Sequence, residues 1–156
     1  MAMAKVSAVP PGMHTVIPVL TMKGCAEAIE FYKRAFGAEE LTRALDPSGK
    51  QIWHAALRIG DSTIFLNDEM PEMGISARPS RLWLYLDSVD AAFKRATSAG
   101  FKVTMPLADM FWGDRMGKVE DKWGNDWSLA QHIKDLTPEE MRAAQNAFIE
   151  QMSKKK

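Results

Sequence analysis

Residues 26–40 read AEAIEFYKRAFGAEE, a helix followed directly by the start of a strand. Counted from Cys25, the large apolar residues of this helix recur at i, i+4, i+7 and i+11, which places them on one buried stripe. Gly37 is a typical helix end, because glycine readily adopts the left-handed backbone found there. The stretch therefore predicts an amphipathic helix over residues 25–36 that packs against a sheet.

The same helix is echoed later in the chain. FYKRA at residues 31–35 corresponds to FKRA at residues 93–96, and each helix follows one strand and precedes three. Two copies of a β-α-β-β-β module explain this order of elements. We predict an α+β fold in which two βαβββ modules form a curved-sheet cup, with a C-terminal helix. The predicted organisation within one domain is a flexible N-terminus over residues 1–12, a first module over 13–70, a linker over 71–80, a second module over 81–132 and a helix over 137–152. The first module is predicted to begin with a strand over residues 14–22, and Thr137 with Glu140 predicts a capping box at the start of the last helix.

Composition restricts the class of partner and the compartment. The chain has 156 residues with 20 basic and 20 acidic side chains, a balance that argues against nucleic acid or an anionic membrane as a partner. Its single cysteine, Cys25, excludes an internal disulfide. No segment resembles a signal peptide or a membrane span, so we expect a cytoplasmic protein.

Strand alternation separates two faces in each predicted sheet. In residues 52–59 the apolar side chains alternate with His54, which points away from the helices. The same alternation turns Trp83 and Tyr85 away from the helices in the second module, together with Ser128. An aromatic and polar cup is typical of a small-ligand site. The alternative is a second hydrophobic layer that Trp83 and Tyr85 merely fill.

Other residues have two interpretations each. In the loop before a strand, Trp112 and Arg115 flank a turn, and Arg115 could reach an anionic ligand or form a structural salt bridge. His54 could contact a ligand, act as a base, join a metal site or simply be hydrogen-bonded in the sheet. The sequence contains no Ser-His-Asp order, phosphate loop, CxxC or HExxH, so no catalytic residue is assigned.

Three segments resemble a known superfamily. The helix AEAIEFYKRAFGAEE, the strand pair HAALRIGDSTIFLND and the hairpin FWGDRMGKVEDKWGNDWSLA are similar to the vicinal oxygen chelate superfamily, which includes glyoxalase I, bleomycin-resistance proteins and extradiol dioxygenases. The PhnB-like branch is the most similar. The resemblance covers residues 15–132, and it implies paired modules that form a cup, usually in a homodimer.

The resemblance also implies where a metal would be held. Members that do chemistry hold a divalent metal with two side chains from each module, and Ser128 stands where a carboxylate is expected. The matching first-strand position is Arg81, which repels a cation. In the first module the corresponding positions fall near Ile17 and within residues 65–67. We therefore predict that the protein contains no metal and no other cofactor.

The favoured function is capture of a small, partly aromatic molecule by a metal-free homodimer. By the internal repeat, Glu120 corresponds to Ala56 and could share the cup with His54. One alternative is a metal-dependent lyase or dioxygenase with unrecognised ligands, and another is a regulatory protein-interaction module. The residues predicted to contact the ligand are His54, Trp83, Tyr85, Trp112, Arg115, Glu120 and Ser128.

Overall fold

The chain folds as two copies of one run of elements, a strand, a helix and three strands. The computed structural model describes residues 4–156, so the flexible segment predicted over residues 1–12 lies partly outside the described residues. The chain divides into two compact units after Ser80. The α+β class with two βαβββ modules and a C-terminal helix is confirmed. The elements are β1 (Val19–Met22), α1 (Cys25–Phe36), β2 (Glu39–Leu45), β3 (Ile52–Ile59), β4 (Ser62–Asp68), β5 (Arg81–Tyr85), α2 (Val89–Ala99), β6 (Lys102–Asp109), β7 (Asp114–Glu120), β8 (Asp126–His132) and α3 (Pro138–Lys154), with a short 3-10 turn at Pro71–Met73.

Each unit contains a four-stranded sheet, and the two sheets have the same strand order. The first is ordered β1-β4-β3-β2, and β1 is parallel to β4 while the other neighbours are antiparallel. The second is ordered β5-β8-β7-β6, and β5 is parallel to β8 while the other neighbours are antiparallel. The repeat read in the sequence is therefore a repeat of topology.

Helix α1 packs the predicted stripe into the core of the first unit. Cys25, Ile29 and Tyr32 are 0% exposed. Burial raises the pKa of the Cys25 thiol to about 12, so the thiol is a neutral core group. The helix ends at Gly37, which has the left-handed backbone predicted for it and donates its N–H to the carbonyl of Lys33.

Helix α2 covers one side of the second sheet, which we call the near face. Trp127, Leu129 and Val119 lie there and are 0% exposed. Gly117 approaches the helix so closely that a Cβ atom at this position would lie 2.6 Å from the ring of Phe93. The core of the second unit is therefore between this sheet and α2.

The first strand starts later than predicted. We predicted a strand over residues 14–22, whereas β1 begins at Val19. Pro18 has no N–H to donate, although its carbonyl accepts a hydrogen bond from the N–H of Phe65 at 2.9 Å. Pairing with β4 consequently begins at this proline. The other predicted boundaries differ from the observed ones by one or two residues, the usual scatter of element ends.

Helix α3 has the predicted N-terminal capping box. The Oγ1 atom of Thr137 accepts a hydrogen bond from the N–H of Glu140, whose carboxylate accepts one from the N–H of Thr137. The apolar side of the helix is only partly covered, since Phe148 lies against Phe111 with ring centroids 5.2 Å apart, whereas Ile149 is 55% accessible. Neither α3 nor another helix within residues 4–156 is both long and apolar enough to span a membrane.

Candidate functional site

The side of the second sheet opposite α2 carries most of the predicted site residues. Because strand side chains alternate, the neighbours of the buried near-face residues point to this side. Strand β8 lies between β5 and β7, so its residues 126–130 have neighbours on both strands, and His132 has one on β7. We call this side the far face; it comprises Arg81, Trp83, Tyr85, Asp114, Met116, Lys118, Glu120, Asp126, Ser128, Ala130 and His132.

Trp83 and Tyr85 form an exposed aromatic pair on the far face. Their ring centroids are 5.9 Å apart and the rings are tilted by 54°. Trp83 is 45% exposed and Tyr85 is 63% exposed, with the orientation that strand alternation predicted. Ser128 lies beside Trp83 in register, and Lys118 lies beside Ser128. Two aromatic rings therefore lie next to a hydroxyl and an ammonium group, a combination typical of small-ligand sites.

In the second module, the two positions at which the resemblance expects metal ligands carry the guanidinium of Arg81 and the hydroxyl of Ser128. The Nε atom of Arg81 donates a hydrogen bond to Oδ2 of Asp126 at 3.1 Å. Ser128 is 5% exposed. Glu120 is half-buried and is paired in register with Asp126. Within residues 4–156, no three His, Cys, Asp or Glu side chains gather in an arrangement that could hold a metal ion.

A buried carboxylate joins three side chains at one end of the far face. Asp114 is 1% exposed. It accepts hydrogen bonds from Tyr85 Oη at 2.9 Å, Trp112 Nε1 at 2.8 Å and His132 Nδ1 at 2.9 Å. The other ring nitrogen of His132 lies 2.7 Å from Oδ1 of Asp135. We call these five residues the Asp114 network.

The network determines which of its members are charged. Desolvation alone would raise the pKa of Asp114, but the hydrogen bonds from His132, Tyr85 and Trp112 outweigh it and hold that pKa below its usual value. The bond to Asp114 raises the pKa of Tyr85, which favours the neutral phenol. Hydrogen bonds to Asp114 and then Asp135 raise the pKa of His132, which favours the imidazolium.

Arg115 lies on the near face, so the prediction that it lines the aromatic surface is wrong. Its Nε atom donates to Asp109 at 2.7 Å, and its Nη1 atom donates to Asp90 of α2 at 3.1 Å. The salt bridge that the sequence left open as an alternative is therefore present. Because β7 begins at Asp114 and that residue points to the far face, alternation turns Arg115 toward the helix.

His54 belongs to the first unit. It is exposed and lies on the side of β3 opposite the fully buried Ala55 and Leu57, which is the orientation that strand alternation predicted. Its ring meets the ring of Phe65 edge-on, with centroids 4.6 Å apart. His54 thus belongs to the first unit of the chain, whereas all residues of the Asp114 network belong to the second.

Sequence reasoning missed the two residues that organise the network, Asp114 and His132. No short motif links them, since they are 18 residues apart and the partner Tyr85 lies on another strand. The available signal was register, because a hairpin of β7 and β8 pairs Asp114 directly with His132.

Comparison with known proteins identifies the family. The profile of the Glyoxalase/Bleomycin resistance protein/Dioxygenase superfamily matches residues 13–129. A protein of Mycobacterium bovis is 41% identical over 139 residues, which cover 83% of this chain and 91% of that protein. TioX from Micromonospora sp. ML1 aligns with a TM-score of 0.62 at 25% identity, over 80% of this chain and 100% of TioX. A PhnB protein from Bacillus cereus shares the fold, with a TM-score of 0.54 at 18% identity over 76% of this chain and 99% of that one. This chain therefore belongs to the Glyoxalase/Bleomycin resistance protein/Dioxygenase superfamily.

Proposed function

We propose that the protein binds a small, partly aromatic molecule on the far face and holds it without a metal ion. The observation that supports this most is the exposed pair of Trp83 and Tyr85. Aromatic side chains dominate the energetics of binding surfaces. Their rings pack favourably against another planar ring, either offset-stacked or edge to face.

The aromatic pair can supply a large part of the energy of binding. Stacking of aromatic rings contributes about 0.5–1.5 kcal/mol per pair beyond the area buried. Each 100 Å² of apolar surface removed from water adds about 2.5 kcal/mol. The ammonium group of the half-buried Lys118 then offers hydrogen-bond donors that orient polar groups of the ligand.

The charges at the expected metal positions support a metal-free site. Arg81 repels a cation, and the neutral hydroxyl of Ser128 is a poor ligand for zinc. We expect elemental analysis after dialysis to find much less than one zinc, nickel or iron per chain. One tightly held metal per chain would overturn this part of the proposal and favour a metal-dependent lyase or dioxygenase. Separate substitutions of His54 and Glu120 would then be the first tests of its ligands.

The binding proposal is tested at Trp83. A thermal-shift screen of small aromatic compounds first provides a ligand, and its affinity is then measured by titration calorimetry. Trp83→Ala should weaken binding about tenfold or more, which corresponds to about 1.4 kcal/mol. The variant should still fold, because the side chain is 45% exposed and contributes little to the core.

The matched control is Trp53→Ala, because Trp53 lies on the first sheet and is 47% exposed, nearly the same fraction as Trp83. It should bind the ligand with unchanged affinity. Equal losses in the two variants, or normal binding by Trp83→Ala, would exclude the far face as the site. Unfolding of Trp83→Ala would show that Trp83 is a core residue.

A further inference from the structure

The Asp114 network holds His132 in a way that leaves one ring nitrogen directed outward. Asp114 is almost completely buried and accepts a hydrogen bond from Nδ1 of His132 on the protein side of the ring. On the other side of the ring, the hydrogen-bond partner of Nε2 within residues 4–156 is the carboxylate of Asp135. The side chain of His132 is 52% exposed. The ring is therefore fixed from the protein side and accessible from the solvent side.

The outer partner is weakly held in comparison with the inner one. The side chain of Asp135 is fully exposed, and it forms an ion pair with His132. An exposed ion pair of this kind contributes little to stability, since water and salt screen it. An anion from solution can therefore compete with Asp135 for Nε2 of His132 at a small cost.

We propose that the ligand of the far face is an aromatic carboxylate, whose carboxylate group takes the place of Asp135 on Nε2 of His132. This inference rests on the proposed function, because it names the chemical class of ligand for the same face. Tyr85 and His132 donate hydrogen bonds to the two oxygens of the same carboxylate, so the phenol oxygen and the imidazolium lie at one end of the far face. A ligand ring then lies against Tyr85, toward Trp83, while its anionic end meets the imidazolium.

The groups around His132 favour an anion at this position over a cation. The phenol of Tyr85 and the indole N–H of Trp112 are neutral donors that already face Asp114, which leaves one buried negative charge opposite one imidazolium. When the ligand displaces Asp135, the outer carboxylate is exchanged for another carboxylate and the charge balance at the ring is conserved. A neutral aromatic molecule would lack the group that competes with Asp135.

The experiment uses NMR of the full-length protein near about pH 6, where a histidine of raised pKa is protonated. The imidazole and indole resonances are followed during titration with benzoate, acetate and benzyl alcohol. Benzoate should shift the resonances of both His132 and Trp83. Acetate should shift His132 alone and bind more weakly, and benzyl alcohol should shift Trp83 while it leaves His132 unchanged.

Two variants measure the exchange directly. Asp135→Asn removes the internal competitor and should tighten benzoate binding about two- to fivefold, the factor expected for an exposed ion pair. His132→Gln should weaken benzoate binding about tenfold while benzyl alcohol binds as before. Asp61→Asn, which removes an exposed charge from the first unit, should leave the benzoate affinity unchanged.

Other outcomes overturn the inference and leave the proposed function to its own test. If benzoate shifts Trp83 but not His132, or if Asp135→Asn and Asp61→Asn behave alike, the anion binds elsewhere. If benzoate at millimolar concentration shifts neither residue, the ligand is not an aromatic carboxylate. The proposed function fails separately, when Trp83→Ala binds the screened ligand as well as the native protein does.

Discussion

At the scale of single residues, the charge on His132 couples the Asp114 network to pH. The hydrogen bonds that it donates to Asp114 and Asp135 raise its pKa above the ordinary value of 6.5. A group whose pKa is raised on folding stabilises the protein fully below its unfolded pKa, and this contribution is lost as the pH rises through the folded pKa. The network should therefore weaken from about pH 6.5 upward.

Urea unfolding measured from about pH 5.5 to about pH 8.5 tests this expectation. The native protein should lose stability across this window relative to His132→Gln, which lacks the imidazole of residue 132. Asp135→Asn should reduce this difference in part, because Asp114 still binds the ring. Parallel stability curves for the native protein and His132→Gln would show that the pKa of His132 is not raised by folding.

The candidate site was predictable from sequence where it depends on strand alternation alone. Trp83 and Tyr85 alternate with apolar neighbours, and that pattern fixed their face correctly. Arg115 was misplaced because it was read as directed by the loop after Trp112, whereas it lies within β7, where alternation puts it on the face opposite Asp114. The role of Asp114 could not be predicted, because its sequence context is that of a loop and tertiary structure brings its three donors together.

At the scale of elements, each helix of the repeat is capped by a side chain from the last strand of its module. In the first unit, the buried carboxylate of Asp68 accepts hydrogen bonds from the N–H groups of Gly24 at 3.0 Å and Cys25 at 2.8 Å, where α1 begins. It also accepts one from the N–H of Ile52 at 2.8 Å. In the second unit, Oε1 of Gln131 accepts a bond from the N–H of Val89 at 3.0 Å.

These caps differ in charge and in number of bonds, so their removal should differ in cost. Asp68→Ala leaves three N–H groups without their acceptor, and we expect a loss of at least about 3 kcal/mol. Gln131→Ala removes one neutral bond at a half-buried position and should cost about 1 kcal/mol. Urea denaturation of the two variants gives both free energies of unfolding. Equal losses would mean that the carboxylate contributes no more than the amide.

The boundaries of elements were predictable where local chemistry determines them. Gly37 ends α1, and Thr137 with Glu140 begins α3, because the backbone and capping requirements are encoded in these residues. The start of β1 was not, since residues 14–18 have the apolar, extended character of a strand but no partner before Pro18. The cap from Asp68 was equally hidden, because it lies 43 residues from the helix that it caps.

At the scale of the whole molecule, repetition explains why the fold was predictable. A short sequence repeat in two helices indicated two modules. In each module the structure repeats the strand order, the parallel pairing of the strands that come first and last along the chain, and the capping of the helix from the last strand. Function is less constrained by this architecture. One superfamily accommodates binding proteins and enzymes on the same modules, so the site chemistry of this chain has to decide between them.

We expect the protein to be a homodimer in solution. Large apolar side chains outside the candidate site remain exposed in both units, among them Val19 at 57%, Ile149 at 55% and Met152 at 56%. Each four-stranded sheet also ends in edge strands with unpaired backbone groups, which proteins commonly protect by association. Light scattering at micromolar concentration should therefore give a mass near twice the 17.5 kDa of one chain. Because an apolar interface does not depend on charge pairing, the mass should stay the same when salt is added. A mass of one chain under these conditions would contradict the dimer, and a mass that falls as salt is added would point to an interface held by ion pairs instead.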